Sequence, residues 1–161
     1  MLTHSVLCYL SYETIFYWVH RIMHMPAFYH LHEMHHRTRG SVGISGMYQG
    51  AIDYVLTTSI AHITMPYLLD AHCMTLWASC LVGSLNSVHS HSGWDFPLYL
   101  FPSPEEHNLH HWRYTVNFGT GPWDAGLQTS SSPTPADKEK LLRVAASLKK
   151  SVTVNAKAAI S

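Results

Sequence analysis

The sequence predicts an all-α protein, an integral membrane helical bundle that carries a histidine-rich, two-metal site on its cytosolic side. Three observations predict it. Histidines recur at helical spacing in separated stretches of the chain. Uncharged runs of bilayer length lie between those stretches. Only 12% of the 161 residues are charged, so a mean hydropathy near zero averages long apolar runs against polar boxes.

Residues 1–19 are apolar apart from a few hydroxyls, His4 and Glu13. That is close to the ~20 residues a helix needs to cross a hydrocarbon layer. No basic segment precedes the run and no small-residue cleavage site follows it, so it reads as a retained membrane helix rather than a signal peptide. Arg21, Arg37 and Arg39 follow, and the positive-inside rule places this end on the cytosolic side. Between 20 and 36 six of seventeen positions are histidine. On a helix His20 and His24 lie one turn apart, and His32, His35 and His36 stand at i, i+3 and i+4, so each group is expected to aim at a common point.

Residues 40–50 hold Gly40, Gly43, Gly46 and Gly50, a composition that breaks helices and permits close backbone approach. Two uncharged runs follow, 54–69 and 71–94, separated by Asp70. They are expected to form a helical hairpin that enters the membrane and returns, with Asp70 at the lumenal turn, although one buried soluble hairpin fits the same lengths. The returning helix brings His89 and His91 back to the first boxes. These two point about 200° apart on a helix, so only one of them, taken as His91, faces a shared metal.

The stretch Ser103-Pro104-Glu105-Glu106 opens a helix: Ser103 caps, Pro104 fits the first turn and Glu106 completes a capping box. His107, His110 and His111 then repeat the HxxHH pattern on what is expected to be one face. From 130 onward Ser, Thr and Pro give way to a Lys-rich segment, expected to be a mobile or surface-lying tail. The domain reading is therefore 1–129 plus a tail, 130–161.

Ten basic residues balance ten acidic ones, which argues against nucleic acid as a partner. Three cysteines without a CxxC pair, Cys8, Cys73 and Cys80, read as core thiols rather than disulfides or zinc ligands. His20, His24, His32, His35, His36, His91, His107, His110 and His111 are more ligands than one tetrahedral zinc can use, and they suit two metal ions. His89 and Asp53 are candidates for a further ligand or for a hydrogen-bond partner of one. Imidazole accepts Fe, Zn, Cu or Ni, so ligand type alone does not choose the metal. His4, His30, His62 and His72 stand alone and read as ordinary polar residues. No HExxH is present, and Glu33 is the only acid placed like a hydrolase's general base.

The run HRxxH at 20–24, Phe28-Tyr29 and HxxHH at 32–36 resembles the fatty acid hydroxylase superfamily of membrane di-iron enzymes, which includes methylsterol oxidases, sterol desaturases and cholesterol hydroxylases. Val42-Gly-Ile-Ser with Tyr48 and Asp53, His91-Ser-Gly-Trp-Asp-Phe-Pro97, the second HxxHH, Asn117-Phe-Gly and Trp123-Asp124 extend the likeness over residues 12–129. The HSGWDFP segment is most similar to the methylsterol-oxidase branch. Gly50-Ala51 stands where the family often has His-Pro, and the chain starts almost at its first box, so a truncated or minimal form is expected.

The resemblance implies two iron ions at the boxes, with zinc as a possible substitute. It implies dioxygen activation, with electrons from NAD(P)H through cytochrome b5 or a reductase. It also implies hydroxylation of an unactivated C–H bond of a lipid, a sterol being favoured, in a multi-pass protein of the endoplasmic reticulum membrane whose active site is cytosolic. Desaturation by a member of the same superfamily, and a degenerate metal-binding protein without catalysis, are the alternatives.

Overall fold

The first helix, α1, spans Leu2–Met23 and forms the spine against which most of the chain packs. The computed structural model describes residues 2–39, 42–96 and 101–158; Gly40 and Pro97, singled out in the sequence, lie outside them. Beyond α1 come α2 (Tyr29–His36), a 3-10 turn (Gly43–Met47), α3 (Ala51–Asp53), a π-helical segment (Tyr54–Ser59) and α4 (Ile60–Leu68). The last four helices are α5 (Cys73–Ser92), α6 (Pro104–Arg113), α7 (Pro122–Gly126) and α8 (Pro135–Ala158). Every described element is helical, as the sequence predicts.

Helices α4 and α5 form the expected hairpin, turning at Asp70, which adopts a left-handed φ of 46°. The His72 side chain caps α5 by accepting from the Met74 backbone N–H at 3.2 Å, which accounts for one of the lone histidines. Gly93, at φ 72°, ends α5 in the left-handed conformation glycine tolerates. Ser103 caps α6 as predicted, its Oγ accepting from Glu106 N at 3.2 Å, with Pro104 in the first turn.

The 3-10 turn lies flat on α5. A side chain at Gly46 would strike Ser87 and the His91 ring, so the glycine is what lets this backbone approach the histidine. Helix α8 docks on α6 through Arg113–Asp137 at 2.8 Å and Lys138–Glu105 at 2.7 Å, with the Lys140 ammonium 4.2 Å from the Trp112 ring centre. Such exposed ion pairs contribute little, because solvent screens them.

Polar residues occupy the interior and apolar ones face outward. Glu13, Asp53, Asn86 and most of the box histidines are buried, whereas Leu10, Ile63, Tyr67, Leu68, Met74, Trp77, Leu81 and Leu85 are exposed. Among the described residues no helix is long and apolar enough to cross a membrane. Helices α1 and α5 have sufficient length, but hydroxyls, histidines, Glu13 and Asn86 dilute their hydropathy. One expectation is corrected outright: Cys8 is buried, but Cys73 and Cys80 are exposed, because Cys73 is the first residue of α5 and Cys80 lines a cavity rather than a packed contact.

Candidate metal centre

Four helices contribute imidazoles to one buried cluster: α1 with His20 and, at its end, His24; α2 with His32, His35 and His36; α5 with His91; and α6 with His107, His110 and His111. All nine singled out in the sequence come together. They form two groups, His20, His24, His32, His36 and His110 in one, and His35, His91, His107 and His111 in the other. Within each group one ligand atom from every residue lies within 4.8 Å of all the others. The groups abut, with the His36 and His111 ring centres 4.5 Å apart.

The division corrects the expectation that each HxxHH box aims at a single point. Successive helical residues differ by about 100°, so i and i+4 differ by only about 40° while neighbours diverge. His32 and His36 therefore serve one group and His35 the other; on α6, His107 and His111 pair while His110 crosses over. Each HxxHH box straddles both positions.

The hydrogen bonds fix which nitrogen faces inward. His20 Nδ1–H donates to the Phe118 carbonyl at 2.5 Å, His32 Nδ1–H to the Asp53 carboxylate at 2.7 Å and His110 Nδ1–H to the Val116 carbonyl at 2.7 Å. In the second group His91 Nδ1–H donates to the Ser87 carbonyl at 2.7 Å. Because a neutral imidazole carries one proton, the Nε2 atoms of these four rings are bare.

These nitrogens converge with the Nε2 atoms of their neighbours. His20 Nε2 lies 3.0 Å from His32 Nε2, 3.1 Å from His110 Nε2 and 3.2 Å from His24 Nε2. His107 Nε2 lies 2.9 Å from His91 Nε2 and 3.1 Å from His111 Nε2. Among His20, His32 and His110 the facing lone pairs repel unless a cation lies between them. Nitrogens at ~2.1 Å from one metal stand about 3.0 Å apart at right angles and about 3.4 Å apart in a tetrahedron, so the spacing suits ligation. His36 has both ring nitrogens buried without a hydrogen-bond partner, a deficit that ligation would relieve.

Burial first, and neighbouring imidazoles second, hold His20, His35, His36, His107, His110 and His111 far below the ordinary imidazole range, and push His24 down to about 3. These rings are neutral at pH 7, which is the ligating form.

Asp53 is fully buried at the start of the π-helical segment. It holds His32 and is itself held by the Thr57 hydroxyl, which donates to its carbonyl at 2.8 Å and its Oδ1 at 3.3 Å. His89 is buried apart from both groups, its Nε2 accepting from Phe96 N at 3.2 Å. Glu33 is exposed and pairs with Arg37, so it is not aimed at the histidines as a base.

A cavity of about 300 Å³ reaches both groups, touching His20, His32, His35, His91 and His107 and walled by Tyr12, Phe16, Tyr54, Ile63 and Phe118. A second, mostly apolar cavity of about 290 Å³ shares Tyr12, His62, Gly83, Asn86 and Thr120 with it. His62 stands where the two meet, stacked on Tyr12 with ring centres 4.5 Å apart and bonded to Ser79 Oγ at 3.1 Å. Trp94 and Phe96 are exposed, and Trp123 packs near Tyr17 and Trp18. The π-helical segment and the carbonyl supports from Phe118, Val116 and Ser87 were not foreseen. A carbonyl support leaves no side-chain signal in a sequence.

The profile of the fatty acid hydroxylase family matches residues 5–129, which includes every box. The chain belongs to the fatty acid hydroxylase family. Among the relatives of this family it is 31% identical over 110 residues to fatty acid hydroxylase domain-containing protein 2 of Macaca fascicularis, covering 66% of this chain and 32% of that one. It is 28% identical over 145 residues to C-4 methylsterol oxidase erg25 of Schizosaccharomyces pombe, covering 82% and 48%. It is 31% identical over 142 residues to very-long-chain aldehyde decarbonylase GL1-8 of Oryza sativa subsp. indica, covering 80% and 53%. The chain thus spans about a third to a half of the length of these curated relatives. No solved structure matches it significantly. The relatives fall on more than one branch of the family, so they do not single out the methylsterol oxidases.

Proposed function

We propose that this family member is a membrane-bound di-iron oxygenase that hydroxylates an unactivated C–H bond of a lipid, with a sterol-type substrate favoured. The observation that carries it is the convergence of ring nitrogens in two abutting all-histidine groups, with the opposite nitrogens of His20, His32, His91 and His110 tied to oxygen acceptors. His20, His24, His32, His36 and His110 would hold one iron, and His35, His91, His107 and His111 the other, with zinc able to take their place. The metals supply the oxidising chemistry, using dioxygen and electrons passed from NAD(P)H by cytochrome b5 or a reductase.

The chain's own part is to position the lipid and keep water out. The aromatic wall of Tyr12, Phe16, Tyr54 and Phe118 brings an apolar substrate against both groups at once, and the size of the cavity fits the range of small-molecule sites. Positioning matters because hydroxylation and desaturation diverge at the second hydrogen, within sub-ångström differences of placement. Asn86 and Thr58 are among the polar groups that would orient an oxygen-bearing end.

We place the protein in the endoplasmic reticulum membrane with its boxes facing the cytosol. Outward-facing Leu10, Ile63, Tyr67, Leu68, Trp77, Leu81 and Leu85 support immersion in lipid, since a water-facing surface of that kind is uncommon. Arg21, Arg37 and Arg39 support the orientation.

The test incubates membranes holding the protein with labelled oxygen gas, NADPH, an electron-donor system and either 4-methylsterols or fatty acyl lipids. Label in a lipid alcohol supports the reading. An unlabelled alkene establishes desaturation instead, and no turnover by fully iron-loaded protein establishes a metal-binding protein without catalysis.

A further inference from the structure

Resting on the two-metal reading above, we infer that Asp124 is a positioning residue for the five-histidine group, acting on His20 through the peptide between Phe118 and Gly119, and that this makes the five-histidine position the tighter of the two. Asp124 lies on α7 and touches no histidine in the hydrogen-bond pattern. Its buried carboxylate accepts from Gly119 N at 2.6 Å through Oδ2, and from Phe118 N at 2.9 Å and Thr129 Oγ1 at 2.7 Å through Oδ1.

The Gly119 N–H and the Phe118 carbonyl belong to one planar peptide unit. That unit donates to Asp124 at one end and accepts from His20 Nδ1–H at the other, at 2.5 Å. A carboxylate bonded to a peptide N–H polarises the peptide and draws negative charge onto its oxygen, and hydrogen bonds in such a chain strengthen one another. The polarised oxygen in turn makes the His20 ring a better electron donor at Nε2, as a carboxylate does when it bonds a ligating histidine directly. Here a peptide is interposed between the two.

The local structure serves this contact. A Cβ at Gly119 would lie 3.2 Å from Asp124 Oδ2 and 3.2 Å from the Tyr17 ring, so glycine keeps the peptide against the carboxylate. Asn117, at φ 54°, secures the same loop by donating to the Glu106 and Ser131 carbonyls at 2.9 and 2.8 Å.

The two groups are consequently unequal. The five-histidine group has Asp53 bonded directly to His32 and Asp124 bonded through a peptide to His20; His91 in the four-histidine group is supported by the neutral Ser87 carbonyl. Asp124→Asn keeps the size of the side chain, removes the charge and turns an amide N–H toward one of the backbone donors.

The experiment titrates detergent-solubilised full chain, freed of metal, with Co(II), following the visible spectrum and the bound equivalents. Wild type is expected to take two equivalents, the first with a spectrum that survives in His91→Ala and vanishes in His24→Ala. In Asp124→Asn the first equivalent weakens by about 10–100-fold while the second is unchanged, and Asp124→Glu, which restores the charge, recovers part of the loss. Equal weakening of both equivalents, or of neither, overturns the inference. If Asp124→Asn does not fold, filling of the four-histidine group first in wild type overturns it. Failure of wild type to bind two equivalents refutes the two-metal reading itself, which is a separate outcome.

Discussion

His32 and Asp53 are 21 residues apart in sequence yet meet as a buried pair, with Nδ1–H of His32 donating to Oδ2 of Asp53 at 2.7 Å and neither residue more than 3% exposed. The carboxylate orients the ring and raises its basicity toward a metal. Asp53→Asn is expected to lower metal affinity at the five-histidine group by about 10–100-fold without affecting the four-histidine group. Metal titration of the variant checks this, and an unchanged first equivalent would count against it.

Adjacent histidines in one box belong to different groups. His35→Ala is expected to remove the metal of the four-histidine group and His36→Ala that of the five-histidine group, so each variant keeps about one equivalent and the double variant keeps none. Difference spectra of the two single variants should therefore be distinct. Identical spectra would show that the box acts as a unit.

His91 and His89 separate in the same way. His91→Ala should abolish metal at the four-histidine group, whereas His89→Ala, which loses the Phe96 N–H bond and ring contacts with Phe96 and Phe101, should keep both metals. Metal counting on the two proteins is decisive, and the reverse order sinks the assignment.

Gly46→Ala inserts a methyl group against Ser87 and His91, where the backbone is already in close contact. Overpacking of this kind costs roughly 1–3 kcal/mol, and the displaced His91 should release the second metal first. Thermal unfolding and metal content together check it; a variant with wild-type values in both would show that the turn yields freely.

The apolar exterior predicts behaviour in fractionation. Alkaline carbonate should leave the protein in the membrane pellet, and detergent should release it. Recovery in the carbonate supernatant would refute immersion in the bilayer.

Much of this was legible in the sequence because helical spacing carries angular information: the nine histidines, the Asp70 turn and the Ser103 cap all follow from periodicity and local side-chain chemistry. How the nine divide was equally implicit in the 100° step between residues, yet it becomes visible only once α1, α2, α5 and α6 converge. The backbone carbonyls of Phe118, Val116 and Ser87 could not be read, since any residue supplies one. Membrane insertion was inferred from uncharged runs, but along α1 and α5 polar residues turn inward and apolar residues outward, a division a linear average conceals. The exposed Cys73 and Cys80 show the same limit, because composition does not say which face of a helix a thiol occupies.

The central claim is that nine histidines hold two adjacent metal ions. The most direct measurement is the metal content of protein reconstituted anaerobically with ferrous iron and washed free of excess, read with X-ray absorption at the iron edge. The account predicts two irons per chain, ligated mainly by nitrogen and with a second iron nearby. One iron or none per chain at saturation, or isolated iron without a neighbouring metal, would contradict it.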